Sequence, residues 1–209
     1  MFLRKKEVGS FETCCYIVGG DDSRDCVIID PGDDVEGIVS LLEASKRYPA
    51  MVLATHSHVD HIGGVDGILE RYPGSTLAAS GETLNRMANP GLNLSAFIGE
   101  AVAVRASGRP LADREKFSAA GLDWEALEIP GHDPGEMVYA VAGSGALFAG
   151  DVVFAGSVGR SDFPGGDGEQ LAAAVKRLLA SLPPETKVYP GHGPETTAGR
   201  ELASNPFLL

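Results

Sequence analysis

The stretch MVLATHSHVDHIGG, residues 51–64, places three histidines and an aspartate directly after an apolar run. The run MVLAT has the composition of a strand. His56 and His58 lie two residues apart and project to the same side of an extended segment, so both can hold one metal ion. Asp60 and His61 can then face a second position. Burying such a cluster is costly unless a metal or an acidic partner compensates, so the stretch predicts a metal site at the end of a strand.

The two remaining histidines of the chain also follow strand-like runs. His132 comes after LEIPG, His192 after KVYPG, and Asp151 after ALFAG. Either histidine taken alone is more often a hydrogen-bonded loop residue than a ligand. Loops at strand ends can nevertheless present side chains to one shared site, so we expect these segments to converge. Seven candidate ligands are too many for one tetrahedral ion and suit two ions that share a bridging carboxylate, for which Asp151 is the predicted residue. A structural zinc, closed by four ligands, would leave three of them without a role.

Elsewhere the pattern is one of mixed strands and helices, which predicts an α/β layered domain. Apolar, β-branched runs that end in turns predict strands at residues 14–18, 26–30, 51–55, 76–79, 127–129, 137–141, 146–149 and 187–189. Helical spacing of apolar residues predicts helices at residues 34–47, 64–71, 82–88 and 169–182. The first two strands are expected to form a hairpin. Between residues 80 and 116 the pattern weakens, and only one helix is predicted there.

Length and charge limit the classes of protein this chain can be. The 209 residues suffice for one buried core and no linker divides them, so we expect a single domain spanning residues 1–209. A net charge of −12 disfavours nucleic acid and anionic membranes as partners. The N-terminus has no apolar run of signal-peptide length, and no stretch approaches the length of a membrane span. A cytoplasmic protein is therefore expected.

The three cysteines and the apolar C-terminal tail are the residues whose packing can be predicted from their composition. Cys14, Cys15 and Cys26 lie in apolar surroundings and are predicted to be buried free thiols. The tail residues 207–209 can either cover the core or form an interface. The oligomeric state is therefore left open.

Five motifs together resemble the metallo-β-lactamase-fold hydrolases. They are THSHVDHIGG at 55–64, PGHDPG at 130–135, LFAGD at 147–151, GRSD at 159–162 and PGHGPETT at 190–197. They span nearly the whole chain in that family's order. The resemblance implies a four-layer αββα sandwich with the metal site at one edge of the two sheets. Within this superfamily, GRSDFPGG and PGHGPETT resemble the glyoxalase II-like group, which cleaves thioesters of glutathione.

The resemblance also implies a role for each candidate ligand. It assigns His56, His58 and His132 to a first ion, Asp60, His61 and His192 to a second ion, and Asp151 to the bridge. Two divalent ions are implied, zinc first, with iron or manganese as alternatives. Such a pair lowers the pKa of a bridging water, so that hydroxide attacks a polarised carbonyl near neutral pH. Asp60 and Asp151 are accordingly the expected catalytic carboxylates.

Three further residues bear on the substrate and on support of the ligands. Arg160 lies near the position where glyoxalase II has a basic residue that contacts glutathione, although a solvated surface arginine fits the sequence equally. Asp133 stands where the family more often has threonine, and it either raises the basicity of His132 or faces solvent. Asp30, at the end of a predicted strand, either supports a ligating histidine or only forms a turn. The chain ends soon after PGHGPETT, so the C-terminal helical segment of larger glyoxalase II enzymes is expected to be missing.

Several functions are compatible with these residues. The leading hypothesis is a dinuclear hydrolase of a small thioester, with compounds like S-lactoylglutathione as first candidates. A lactone or another ester is an alternative substrate. A persulfide dioxygenase is a third hypothesis, since those enzymes share the fold and the histidine pattern but use a single iron. Flavodiiron-type electron transfer fits less well, because those proteins resemble this chain with glutamate at the position of His58. A nuclease is disfavoured by the charge, and a role in binding alone by the complete ligand set.

Overall fold

The computed structural model describes residues 1–209 as two six-stranded sheets with helices outside each. The N-terminal sheet contains, in spatial order, β1 (Phe2–Val8), β2 (Thr13–Gly19), β3 (Asp25–Ile29), β4 (Tyr48–Leu53), β5 (Thr76–Ser80) and β6 (Gly108–Leu111). The C-terminal sheet has the order β14 (Thr196–Thr197), β13 (Lys187–Pro190), β10 (Ala146–Gly150), β9 (Met137–Val141), β8 (Leu122–Glu128) and β7 (Glu115–Ala119). A separate ribbon pairs β11 (Val153–Phe154) with β12 (Ser157–Val158). The helices are α1 (Val35–Ala44), α2 (Val59–Ile62), α3 (Val65–Arg71), α4 (Gly81–Met87), α5 (Ser95–Ile98), α6 (Gly168–Ala180) and α7 (Ala198–Ser204).

Three apolar clusters join these elements into four layers. The first packs α1, α3 and α4 on the outer face of the N-terminal sheet. The second lies between the two sheets, where Tyr16 of β2 meets Phe148 of β10 with ring centroids 5.3 Å apart. The third packs α6 and α7 on the outer face of the C-terminal sheet. The predicted αββα sandwich is thereby confirmed.

Strand β2 shows why a central strand of this fold is apolar throughout. Successive side chains of a strand point to opposite faces, and here both faces are buried. Cys15 and Ile17 enter the cluster under the helices, while Cys14, Tyr16 and Val18 enter the cluster between the sheets. The three cysteines, including the one on β3, are buried free thiols, as predicted. Strands β2 and β3 pair antiparallel, which confirms the predicted hairpin.

Most predicted elements are present with shifted ends. The largest helix error is at α1, which was predicted to run to residue 47 but ends at Ala44. Lys46 adopts a positive φ of 53°, which stops the helix, and Arg47 turns its guanidinium to the carbonyl of Gly20 at 2.8 Å. Strand β4 was predicted at residues 51–55 but spans Tyr48–Leu53. The amide of Thr55 donates to the side chain of Asp30 at 2.7 Å instead of to a neighbouring strand, so the strand ends early.

Six strands were missed, of which β11, β12 and β14 are only two residues long, and one strand was predicted too short. Strand β1 is an edge strand whose sequence, FLRKKEV, carries the charges typical of exposed edges. Because of these charges its composition did not indicate a strand. Strands β6 and β7 lie in the region between residues 80 and 116 where the pattern is weak. Strand β8 was predicted at residues 127–129 but begins at Leu122. Its first half was not predicted because apolar residues such as Trp124 and Ala126 occupy only alternate positions there.

The tail residues divide between core and surface. Leu208 is buried in the cluster under α6, whereas Phe207 and Leu209 are exposed. One of the three therefore covers the core. None of the helices combines the length and the apolar character that crossing a bilayer requires.

Candidate metal centre

All five histidines lie at one edge of the sandwich, where strands of both sheets end. The loop after β4 and the short helix α2 carry His56, His58, Asp60 and His61. His132 follows β8, Asp151 follows β10, and His192 follows β13. Neighbouring strands of each sheet end at this edge, so the loops that follow them meet although they lie far apart in the sequence. The structure thus brings together all seven residues that the sequence singled out.

The donor atoms of these residues fall into three overlapping groups. Within each group the atoms all lie within 4.8 Å of one another. The groups are His56, His58 and His132; His56, His61 and Asp151; and Asp60, His61 and His192. The Nε2 of His132 lies 3.0 Å from the Nδ1 of His58, and the Nε2 of His61 lies 3.3 Å from the Nε2 of His192. At these distances each pair of ring nitrogens can share either a proton or a cation.

The carboxylate of Asp151 lies between the two outer groups. Its Oδ1 is 3.3 Å from the Nε2 of His61 and 3.6 Å from the Nε2 of His192. Its Oδ2 is 3.7 Å from the Nε2 of His132. The two oxygens therefore face different sets of histidines. Oδ1 of Asp151 and Nε2 of His56 are buried without any hydrogen-bond partner, which is costly for a protein unless a ligand satisfies them.

Asp30 fixes the orientation of two histidines at once. The Nδ1 of His61 donates to its Oδ2 at 3.0 Å, and the hydroxyl of Thr55 donates to the same oxygen at 2.7 Å. The Nδ1 of His56 lies 3.0 Å from that hydroxyl oxygen and donates to it. Both rings therefore carry their proton on Nδ1 and present a bare Nε2 to the centre, which is the tautomer a metal needs. Of the two predicted roles for Asp30, support of a histidine is the observed one.

Backbone carbonyls orient two of the other rings. The Nδ1 of His132 donates to the carbonyl oxygen of Arg160 at 2.6 Å. The Nδ1 of His192 donates to the carbonyl oxygen of Phe11 at 3.0 Å. Their Nε2 atoms are thereby turned toward Asp151 and Asp60. A hydrogen bond from the ring nitrogen that faces away from the centre holds a histidine ligand in position and raises the basicity of its other nitrogen.

Asp133 supports a different residue from the one expected. The solvent-facing role was wrong, because the side chain is buried, and its close contacts are with Ser57, Arg86 and His58. Its Oδ1 lies 3.9 Å from the Nε2 of His58 and 3.0 Å from Nη2 of Arg86. Its Oδ2 accepts the amide and the hydroxyl of Ser57 at 3.0 and 2.6 Å. The fold brings Arg86 of α4 against the metal-binding loop, a contact that no sequence pattern predicted.

Glu136 is a second buried carboxyl that sequence reasoning missed. Its Oε1 accepts the backbone amide of Asp151 at 3.0 Å and lies 3.5 Å from the Nδ1 of His56. Burial, together with the charges of Asp151 and Asp133, raises its pKa well above the ordinary value. A signal was available, since Glu136 directly precedes the buried strand β9, where a charged side chain needs a buried partner.

Burial and mutual charge set the protonation of the cluster. Burial lowers the pKa of His58 to about 4 and lowers the pKa of His56 well below its usual value. Burial alone would raise the pKa of Asp60, but the positive charge of His61 and His192 outweighs it and lowers that pKa. Burial alone would lower the pKa values of His61 and His192, but the carboxylates of Asp60 and Asp151 outweigh it and raise both, so protons and divalent ions compete for these two imidazoles.

Two glycines allow the segments to approach this closely. A Cβ atom on Gly191 would overlap Oδ1 of Asp151 and lie 2.6 Å from Cε1 of His61. A Cβ atom on Gly159 would overlap the carbonyl oxygen of Asp151 and lie 2.9 Å from Nδ1 of His132. Any larger residue would therefore displace the donor atoms.

The donor atoms open into a cavity of about 510 Å³. Its walls are formed by the residues Phe11, His58, Val59, Asp60, Leu94, Phe97, Ile98, His132, Asp151, Arg160, Phe163, Pro164 and His192. Arg160 is placed at this cavity, as the sequence suggested, and its side chain is 59% exposed. Its Nε and Nη2 each lie 2.7 Å from a carboxylate oxygen of Asp162. The guanidinium is therefore already paired.

The family model of the metallo-beta-lactamase superfamily matches residues 9–192. The chain belongs to the metallo-beta-lactamase superfamily. Hydroxyacylglutathione hydrolase GloC of Haemophilus influenzae is 32% identical to it over 96% of this chain and 95% of its own length. The crystal structure of the BLEG-1 B3 metallo-beta-lactamase superposes with a TM-score of 0.93 at 32% identity, covering 99% of both chains. TTHA1623 in a di-iron-bound form superposes with a TM-score of 0.86 at 37% identity, covering 98% of this chain and all of that one.

Superfamily membership and the local chemistry agree on a dinuclear metal-binding site of histidine and aspartate. Imidazole nitrogens and carboxylate oxygens, with no cysteine, suit divalent zinc, iron or manganese. Four buried side-chain atoms lack a hydrogen-bond partner, and two of them, Nε2 of His56 and Oδ1 of Asp151, belong to this cluster. A cation is the group that would satisfy both a bare nitrogen and a carboxylate oxygen. A metallo-hydrolase of this superfamily is therefore the general function of the chain.

Proposed function

We propose that this metallo-hydrolase cleaves a small thioester such as S-lactoylglutathione in the cytoplasm. The proposal is supported by the similarity to GloC, a hydroxyacylglutathione hydrolase, over nearly the full length of both chains. It is also supported by a cavity that opens directly onto the metal centre and has the size of a small organic molecule. Three buried free thiols are compatible with a reducing compartment.

The proposed ligand assignment follows the three donor groups. His56, His58 and His132 hold a first ion, Asp60, His61 and His192 hold a second ion, and Asp151 bridges them. The observation that carries this assignment is the position of Asp151, whose two oxygens face different sets of histidines. Zinc is the first candidate for both positions, and iron or manganese is the alternative. A single ion would leave at least three of the seven donors unused.

When bound, the two ions supply a nucleophile by lowering the pKa of a water and polarise the carbonyl of the substrate. The residues of this chain contribute geometry and charge. Asp60 and Asp151 would supply two negative charges that partly offset the four positive charges of two divalent ions, which is their proposed catalytic role. Asp30 keeps His56 and His61 in the tautomer that leaves Nε2 free. Arg160 contacts an anionic part of the substrate, and only weakly, because Asp162 already occupies its guanidinium.

The first experiment is elemental analysis of protein purified without added metal, followed by an assay of thiol release from S-lactoylglutathione. We expect about two ions per chain and turnover that is lost on chelation and restored by adding back the metal. Asp123, an exposed residue far from the cavity, offers a matched control: Asp123→Ala is expected to keep both values. Two bound ions without any thiol release would refute the thioester assignment while leaving the metal assignment intact.

The similarity to TTHA1623 in a di-iron-bound form supports iron as the alternative metal at a two-ion site. A second candidate function, raised by the histidine pattern, is a persulfide dioxygenase with a single iron, in which oxygen consumption with glutathione persulfide replaces thiol release. One iron per chain together with oxygen uptake would select this candidate. Because BLEG-1 is a B3 metallo-beta-lactamase, a lactone and a β-lactam belong in the same substrate panel. Faster cleavage of either than of any thioester would change the substrate class but not the reaction type.

A further inference from the structure

One wall of the cavity is formed by apolar side chains that make no polar contact with the metal donors. It consists of Phe11 from the β1–β2 turn together with Leu94, Phe97 and Ile98 from the segment around α5. Phe97 is 75% exposed, and Phe11 and Ile98 are each 53% exposed. Phe163 lies on the opposite side, with its ring 5.6 Å from that of His58. Large apolar side chains left in water around a reactive centre point to a ligand that covers them.

The segment that carries Phe97 is anchored at its base. Asn93 is fully buried, and its Nδ2 donates to the carbonyls of Met87 and Val102 at 3.0 and 2.8 Å. Its own carbonyl accepts the amide of Val59 at 3.0 Å, directly beside His58. Ser95 is also buried and exchanges hydrogen bonds with Val102. The exposed apolar side chains therefore stand on a fixed base tied to the metal-binding loop.

The charges around the cavity disfavour a strongly anionic ligand. Arg160 is the only lysine or arginine among the lining residues, and Asp162 neutralises it. An adjoining cavity of about 500 Å³, which shares Phe11 and Ile98 with the first, adds Asp33 and Glu100. The net charge of the whole chain is −12. A carboxylate placed against this wall would meet apolar surface and negative potential.

We propose that this apolar wall binds an uncharged, apolar substituent of the substrate, and that Phe97 and Ile98 determine the preference for it. The identity of the cleaved bond rests on the function proposed above. The preference for an apolar substituent does not depend on that function. The metal centre engages the reacting carbonyl, and the substituent beside it covers Phe97 and Ile98. An acyl group with an aromatic or branched aliphatic chain has this chemistry, and an acyl group ending in a carboxylate does not.

Hydroxamates test this inference without relying on catalysis, because they chelate a metal whatever reaction it performs. Isothermal titration calorimetry on the zinc-loaded protein compares acetohydroxamate, phenylacetohydroxamate and succinic monohydroxamate. We expect phenylacetohydroxamate to bind roughly tenfold tighter than acetohydroxamate, because its ring buries apolar surface. Succinic monohydroxamate, with its carboxylate, is expected to bind no tighter than acetohydroxamate.

The variants Phe97→Ser and Ile98→Ser are expected to reduce the gain from the phenyl group to about threefold or less. Leu92→Ser is the matched control, since Leu92 is 39% exposed in the same segment but does not line the cavity. It is expected to keep the full gain. An equal gain in wild type and Phe97→Ser, or tighter binding of the succinic compound, would overturn the inference. A retained gain in a protein that hydrolyses no thioester would refute only the thioester assignment.

Discussion

The metal centre has a floor, formed by the five histidines with Asp60 and Asp151, and a mouth, formed by Phe11, Phe97, Ile98 and Arg160 at the cavity entrance. The floor and the mouth are built in different ways. On the floor, each histidine is buried or half-buried, and for all but His58 a second residue forms a hydrogen bond with its outward nitrogen. At the mouth, Phe11, Phe97 and Ile98 are more than half exposed, and no polar contact fixes their side chains. The difference separates two tasks. The floor must hold donor atoms to within tenths of an ångström, whereas the mouth needs only to offer surface of the right polarity.

The first prediction breaks the floor at its centre. Asp151→Ala removes the carboxylate that faces both histidine sets, so we expect thioester hydrolysis to fall by about 1,000-fold or more. Elemental analysis is expected to show fewer than two ions per chain. The measurements are kcat/KM and metal content, with Asp123→Ala as the control. Retention of both ions and near-normal activity would show that Asp151 is not the bridge.

The second prediction concerns the charge pair beneath the floor. Arg86→Met leaves Asp133, which is 1% exposed, as a buried charge without its cation. We expect the free energy of unfolding to fall by about 3 kcal/mol. Chemical denaturation measures it. The double variant Arg86→Met with Asp133→Asn removes the stranded charge and keeps an acceptor for Ser57, so it is expected to recover at least half of the loss. No recovery would mean that the loss comes from packing.

The third prediction loosens the floor from outside. Asp30→Ala removes the acceptor for His61 and, through Thr55, the anchor for His56. We expect metal affinity to fall by about 10- to 100-fold. Competition with a fluorescent chelator measures it. Asp25→Ala, at the exposed other end of β3, is the control and is expected to leave affinity unchanged. The same affinity in both variants would show that the anchor is not needed.

The smallest effect is expected at the mouth. Arg160→Ala keeps the backbone carbonyl that orients His132 and removes a guanidinium already paired with Asp162. We therefore expect KM for S-lactoylglutathione to rise by no more than about threefold, with kcat unchanged, since exposed ion pairs contribute little. Steady-state kinetics at several substrate concentrations give both constants. A tenfold rise would place Arg160 among the main substrate contacts and weaken the contrast between floor and mouth.

The floor could be predicted from the sequence because its donors follow strands. A histidine after KVYPG or an aspartate after ALFAG has one place to go once the strands pack side by side. The contacts of Asp133 with Arg86 and Ser57 could not, because they depend on how α4 packs against a distant loop. Exposed α5 was missed for a related reason. It is a single turn held by Asn93, and neither hydrophobic periodicity nor strand composition marks such a segment.

The strands that were not predicted are likewise those whose formation depends on distant pairing and not on local composition. Central strands such as β2 are apolar on both faces and stand out in any window of sequence. Edge strand β1 carries four consecutive charged residues, Arg4 to Glu7, and β7 has the sequence EKFSA with no fully buried residue. Their pairing partners, and not their composition, make them strands.

The two glycines beside Asp151 bear on how this enzyme can change over time. A scan of every single substitution would be expected to show Gly159 and Gly191 as intolerant as the histidines, although neither touches a substrate. New specificities can then be reached by exchanging mouth residues one at a time. A change of metal geometry would need several simultaneous replacements, since Gly159 and Gly191 leave no room for a side chain beside Asp151, His61 and His132. Laboratory evolution starting from this chain should therefore alter what is cleaved far more readily than how it is cleaved.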